Sequence, residues 1–476
     1  MVLIFRLKAR ILQQASGELD FYAYLAAMKE RITGKMESDD WLIDLSLRAL
    51  LGERDAVLFA LNEIEKFMRE HPYSGSVPAA YIGLDVAGAL FQEWIGYGPV
   101  WAWFSDRAWA NSAKLQIVGT QCFASVNGEY TPYPHRFASF ERVEQLRRTL
   151  IRHDPKVRLD AQNPSAELKI DDPLWPGRFL RVAVWVPPRV WDGFTTITFR
   201  RQIVEHMTLD DQAGTGLIPH EAVPMLRALA LTFPNMVISG PVESGKTTFA
   251  NTLVGELLAG AQTALGVVMV EKHPESTLPL VVQGHRFIPI RASEKELLDV
   301  GIQSLRHDPD VVFMTEMRWS EWLFYCYAGE KGHRGLIGTY HTKEAEDIPY
   351  QGAFAVYTEA GGSLRGHLVS TLKSCEVVAV LEPLRNGRKK LVRLCEICYD
   401  DDAGRVYAHD WMRWDPSAKE WRYSAGVSEK LYRRMQFANE HAARVFVSEL
   451  EKLAAKRPLD DPVTESYKSN AVLRGS

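Results

Sequence analysis

The sequence predicts an α/β protein of several domains, and three observations carry that expectation. Beyond residue 221, short apolar runs alternate with helical stretches, the pattern of a domain built on a mostly parallel sheet. Inside that region, "NMVISGPVESGKTTFANTLVGELL" places an apolar strand, a glycine-rich turn and a helix in direct succession. Upstream, helical periodicity gives way near Lys114 to short β-prone runs. At 476 residues the chain exceeds one ordinary domain. The expected divisions are a helical region at 1–112, a small α+β domain at 113–208, a linker at 209–221, the α/β domain at 222–426 and a helical tail at 427–476.

Each element has a local reason. "WLIDLSLRALLGERDAVLFALNEIEKFMREH" repeats apolar residues at spacings of three and four with charges between, which predicts amphipathic helices. "ALFQEWIGYGPVWAWF" ends a helix near Gly96 and Gly98-Pro99. "LQIVGT" and "CFASV" read as strands, and "SFERVEQLRRTLIRH" as a helix capped by Ser139 with Glu141 in its first turn. "FLRVAVWVPP" and "FTTITFRR" are two strands separated by a Pro-rich, Trp-containing turn. "LDDQAGTGLIPHE" has the Gly, Asp and Pro content of a linker. From about 427 the chain is helical and charged, with a polar end expected to fray.

Composition excludes several classes. A hydrophobic share of 46% and a charged share of 24% suit a soluble globular protein. The net charge of −4, without a basic stripe interleaved with aromatics, argues against stable nucleic-acid binding. No apolar run approaches the ~20 residues of a membrane span. "MVLIFRLKARIL" has no charged segment before it and no cleavage site, so it reads as a first strand or helix face in a cytoplasmic protein. Cys395 and Cys398 in "KKLVRLCEICYD" have metal-ligand spacing but no second pair to complete four ligands. Residues three apart on a strand point to opposite faces, so packing is the preferred reading.

The strongest chemical signal is Gly240-x-x-x-x-Gly245-Lys246-Thr247, entered from the strand Met236 to Ser239. Glycines let backbone N–H groups turn inward around phosphate oxygens, and the following helix adds a favourable dipole. Lys246 can then reach the β- and γ-phosphates, and the Thr247 hydroxyl can ligate Mg²⁺. The expected nucleotide contacts are Gly240, Glu243, Ser244, Gly245, Lys246, Thr247 and Thr248. No Asn-Lys-x-Asp run supports a GTPase, and the long leader does not suit a compact small-molecule kinase.

Three further polar clusters follow at strand ends. They are "GVVMVEKHPES" with Glu271 and Glu275, "SLRHDPDVVFMTEMRW" with Glu316 and Arg318, and "GEKGHRGLIGTYHT" with His333 and His341. Parallel sheets gather such clusters at their carboxyl edge. Leu305-Arg306…Pro309-Asp310, Glu316-x-Arg318, Gly332-His333 and Thr339-x-His341, in this order behind the phosphate loop, resemble the type II/type IV secretion ATPase superfamily. "FQEWIGYGPVWAWFSD", "RFASFERVEQL" and "LRVAVWVPP…FTTITFRR" look like the N-domain of its tight-adherence pilus and conjugation branch. Residues 1–75 carry no such match.

That resemblance implies a RecA-like P-loop domain behind a small α+β N-domain, ATP with Mg²⁺, and a homo-oligomer, expected to be a hexamer. It implies a motor for secretion, pilus assembly or conjugative transfer, docked on membrane platform or channel proteins at the inner face of the cell membrane. Glu316 would orient the attacking water, with Glu271 and Glu275 holding Mg²⁺ hydration water or assisting. Arg318, Arg306, His333 and His341 would sense the γ-phosphate or pass its presence to a neighbouring subunit, and Arg200 (less securely Arg201) would be the N-domain arginine that approaches the phosphates. A lone strand-end Glu is otherwise a solvated cap, and a His on a β-run a core histidine.

The chain departs from the family pattern at four positions: Lys272 for the acidic-box Asp, Thr315 for the Gly before Glu316, Trp319 for a small residue, and Lys331 for the Thr before Gly-His. Lys272 and Thr315 keep open an ATP-binding assembly or regulatory subunit with little or no hydrolysis; a single-stranded nucleic-acid motor is a separate alternative, which the slightly acidic charge balance disfavours.

Overall fold

In the computed structural model the chain forms two compact units, residues 1–203 and 204–476. The structure describes residues 18–33, 39–126, 129–152, 154, 157–175, 178–201, 206–271, 276–290, 292, 296–384, 388–400 and 402–475. The statements below concern these residues.

The first unit opens with the helices Glu18–Thr33, Asp39–Leu50, Arg54–Glu70 and Val86–Trp94. Arg54–Glu70 buries Ala56, Ala60, Ile64 and Phe67, one stripe of its surface, as the three-and-four spacing requires. Six antiparallel strands follow: β1 (Lys114–Val118), β2 (Gln121–Val126), β3 (Glu129–Pro132), β4 (Ser165–Asp171), β5 (Phe179–Trp185) and β6 (Thr196–Arg201). They form one sheet in the order β3-β2-β1-β6-β5-β4. The helix Phe140–Arg152 covers one face through Val143, Leu146 and Leu150. Ser139 Oγ accepts the Arg142 N–H at 3.3 Å, the cap the sequence predicts.

The second unit is built on β7 (Met236–Ser239), β8 (Gly266–Val270), β9 (Arg286–Ile290), β10 (Val311–Met314), β11 (Leu336–Tyr340), β12 (Val377–Pro383), β13 (Lys389–Asp400), β14 (Arg405–Asp415), β15 (Glu420–Tyr423) and β16 (Val463–Glu465). Their order is β15-β14-β13-β12-β7-β11-β10-β8-β9, with β16 on β14. From β12 to β9 the pairs are parallel, and β13 to β16 extend the sheet in antiparallel fashion. Apolar side chains leave the central strands to both sides. Met236 and Ile238 join one core and Val237 the other; Val311 and Phe313 split likewise from Val312 and Met314. A sheet covered on both faces needs such near-continuous apolar strands. This is the RecA-like P-loop layout.

Two expected boundaries move. The stretch read as a linker opens with a helix, Leu209–Gly214, closed by a capping box between Thr208 and Asp211. Leu209 is fully buried and the Gln212 amide donates to Thr252 Oγ at 2.9 Å, so the segment belongs to the second unit's core. Its acidic residues are first-turn helix residues, which composition alone does not separate from a linker's. The tail packs into the same unit. Glu429–Lys456 packs Leu431, Met435, Phe446 and Leu450 into the core, β16 pairs β14, and Tyr467–Arg474 is capped by Ser466. Cys395 is wholly buried in β13 and Cys398 half-buried, both as free thiols.

Candidate active site

Everything chemical in the second unit depends on which end of a parallel strand a residue occupies. The phosphate loop leaves the carboxyl end of β7, the buried strand between β11 and β12. Gly240 has φ 143°, and a Cβ there would lie 2.1 Å from the Leu381 carbonyl oxygen, so no side chain fits. Glu243 (φ 65°) and Gly245 (φ 94°) turn the backbone left-handed before the helix Lys246–Ala259 begins. Ser244 is fully buried in this turn, and its Oγ has no partner among the described residues. Lys246, 6% exposed, donates to the carbonyls of Gly240 at 3.0 Å and Pro241 at 2.7 Å. Its Nζ also lies 3.3 Å from His341 Nδ1. Thr247 and Thr248 occupy the first turn, both half-buried.

Strand order explains the company Lys246 keeps. β11 stands between β7 and β10, so His341, just past the end of β11, falls between the loop and the end of β10. There Glu316 and Arg318, both nearly half exposed, pair at 3.6 Å. Burial pulls the Lys246 ammonium down to about 8; Glu316 opposes that shift and Lys389 adds to it. Burial and then Lys246 lower His341, against Glu316. Each strand end is tied to its neighbour. Thr339 Oγ donates to the Thr315 carbonyl at 2.6 Å, and Ser239 Oγ donates to the Thr342 carbonyl.

Glu271 ends β8 at the same edge and is 5% exposed. It accepts the Ser276 N–H at 3.0 Å, while Ser276 Oγ donates to Asn251 Oδ1 at 2.7 Å on the loop's own helix. Glu275 and Lys272 lie outside the described residues. Thr315 is nearly buried behind Glu316, and Trp319 opens the helix Trp319–Glu330, whose Glu321 accepts the Arg318 N–H at 2.9 Å.

His333 does not join this group. It precedes β11 and His341 follows it, so a five-residue strand separates them. At about 3.3 Å per residue that strand alone spans roughly 16 Å. Arg306 and Lys331 likewise precede β10 and β11, at the amino edge. The motifs there have a structural task. Asp310 Oδ2 accepts the Gly266 N–H at 2.7 Å, and the Gly335 N–H donates to the Phe233 carbonyl at 3.1 Å. Strand polarity therefore places His333 at the edge opposite Lys246 and His341 of the same chain.

In the first unit, β6 alternates Phe199 in, Arg200 out, Arg201 in. Arg201 is a core residue: it pairs with Asp172 at 2.7 Å with both side chains fully buried, and its guanidinium lies 3.8 Å over Trp103. Arg200 is exposed. Its register partners are Lys114 on β1 and Arg181 on β5, and Arg181 in turn faces Lys169 on β4. Four cationic side chains therefore share one rung of the solvent face. Lys114 Nζ lies 5.8 Å over Tyr130 and Lys169 Nζ 3.1 Å over Phe179. The rung was not read from the sequence, although its members sit at period-two positions of the strands.

The description "Type II/IV secretion system protein" belongs to the family model that matches residues 175–452, more than half of the chain. The chain is 25% identical over 198 residues to a probable conjugal transfer protein TrbB of Sinorhizobium fredii, covering 41% of this chain and 57% of that protein. It is 24% identical over 260 residues to the type IV secretion system protein VirB11 of Bartonella henselae, covering 44% and 70%. Against the two TrbB-type relatives the chain spans about half of their length (57% and 45%). Among solved structures it is similar to the ATPase DotB of Legionella pneumophila, with 14% identity over 77% of this chain and 93% of that one, at TM-score 0.46.

Proposed function

Because the chain belongs to the Type II/IV secretion system protein family, we propose that it is an ATP-hydrolysing motor. One observation carries the reading. Lys246, held by its own loop's carbonyls and beside His341, shares a sheet edge with Glu316 and Arg318. A lysine held on carbonyls can be exchanged onto phosphate oxygens, which bind it better because they carry charge. The loop fits a phosphate: Gly240 leaves room only for backbone, and Ser244 Oγ is a buried polar atom awaiting a partner.

In this reading Gly240, Glu243, Ser244, Gly245, Lys246, Thr247 and Thr248 hold the triphosphate, with Thr247 the ligand for Mg²⁺. The ion, when bound, would neutralise charge on the phosphates. Glu316 orients the attacking water and Glu271 supports the metal's hydration shell. His341 reports the γ-phosphate from between Lys246 and Glu316, and Arg318 and Arg200 answer developing charge. Copies of the chain assemble into a ring, proposed to be hexameric, on membrane platform or channel proteins at the cytoplasmic face. The motor serves secretion, pilus assembly or conjugative transfer.

Phosphate release from wild type, Lys246→Ala and Glu316→Gln tests this. Wild type is expected to exceed both variants by about 100-fold or more, the scale of a catalytic base or positioned charge, while Glu316→Gln still binds ATP. Wild type no faster than Glu316→Gln, with ATP bound by both, identifies an ATP-binding assembly subunit instead. Salt-sensitive stimulation by single-stranded DNA identifies a nucleic-acid motor.

A further inference from the structure

The hairpin of β12 and β13 returns the chain to the back of the phosphate loop. Leu381 on β12 blocks Gly240, and Lys389, the first residue of β13, lies against Gly245. A Cβ on Gly245 would sit 3.3 Å from Lys389 Cδ and 4.0 Å from its Nζ. The ammonium is therefore beside the amino end of Lys246–Ala259, where aligned peptide dipoles and Lys246 both repel it.

Its neighbour shows what a structural lysine does here. Lys390 Nζ donates to the Gly216 carbonyl at 2.6 Å and lies over the rings of Trp414 and Trp421 at 4.7 and 4.3 Å. Among the described residues Lys389 Nζ has no hydrogen bond or ion pair; the residue keeps an exposed surface, yet burial of its ammonium end beside the loop pulls its pKa down. A partly desolvated cation at a positive helix end, with no carboxylate paired to it among the described residues, is unfavourable in the empty protein. An anion at the loop reverses the sign of that interaction.

We propose that Lys389 is a second phosphate-binding cation of this site, contacting the β-phosphate of a nucleoside di- or triphosphate from the Gly245 side. The proposal rests on the nucleotide reading above and extends it to a residue that no motif contains. Gly245 is a glycine here partly because a side chain would crowd the lysine stem.

The test is equilibrium binding of Mg·ADP and Mg·ATP to the full chain, with thermal melts of the nucleotide-free protein. Lys389→Met is expected to weaken both nucleotides alike by about tenfold, the scale of one charge-assisted hydrogen bond. Lys389→Arg should stay within about threefold of wild type, and Lys430→Met, an exposed lysine on the helix Glu429–Lys456, should bind as wild type. Removing the repelled cation should leave the nucleotide-free melting temperature unchanged or slightly raised. Unchanged binding by Lys389→Met overturns the assignment, and a loss confined to ATP overturns the β-phosphate contact. A melting temperature lowered by several degrees makes Lys389 a structural residue. Wild type that binds neither nucleotide overturns the nucleotide reading itself, and the Lys389 contact with it.

Discussion

The carboxyl edge of the second unit and the solvent face of the first unit's sheet both concentrate positive charge, by opposite means. At the edge, one contiguous segment from Gly240 to Thr248 fixes its own geometry through left-handed backbone and a helix start. On the sheet face, Lys114, Arg200, Arg181 and Lys169 are up to 86 positions apart and meet only because four strands pair in one register. A one-residue slip of any of those strands would send its cation into the core. The backbone of the first is encoded in one segment; the second depends on the whole sheet.

That contrast can be broken or sharpened by experiment. The largest expected effect is on Arg200→Ala, which should lower ATP turnover by about 10³-fold if this arginine answers developing phosphoryl charge. The same change should leave the first unit's stability within about 0.5 kcal/mol or slightly raise it, because like charges stand opposite one another. Turnover and chemical denaturation measured together decide, and a variant that unfolds early would reduce Arg200 to a packing residue.

Next in size is the adjacent Arg201→Met. It leaves Asp172 buried without its partner and should cost about 3–5 kcal/mol of stability. Urea titration should show the loss, and Asp172→Asn combined with it should recover part. Third, His341→Ala should reduce turnover by about 10²-fold, whereas His333→Ala, at the other end of β11, should stay within about twofold. Equal losses would contradict the separation of the two edges. The smallest effect is expected from Ser276→Ala. It frees Asn251 and loosens Ser276, whose N–H holds Glu271, for about 1 kcal/mol of transition-state stabilisation, read as a severalfold fall in turnover with nucleotide affinity unchanged.

Much of this was legible in the residues. The phosphate loop, the strand–helix alternation, the capped helix at Ser139 and the paired strands around the Pro-rich turn are local patterns, and local patterns survive translation into structure. The first-unit strands even show which arginine is buried, since alternation makes Arg200 and Arg201 opposite in fate. What failed was local too. Asp-rich, Gly-containing composition at 209–221 resembles a linker until Asp211 is seen as the reciprocal partner of Thr208.

By itself, then, the sequence determined the phosphate loop, because glycine positions and a helix start are encoded within nine consecutive residues. It determined too that Glu271, Glu316 and His341 stand at strand ends. Only the tertiary structure decided which of those ends lie together. Parallel pairing put His341 with Lys246 and Glu316, left His333 and Arg306 at the opposite edge, and folded β13 back so that Lys389 reached Gly245. The physical reason is that strand polarity, cross-strand register and hairpin return are relations between distant segments, which no single segment's residues carry.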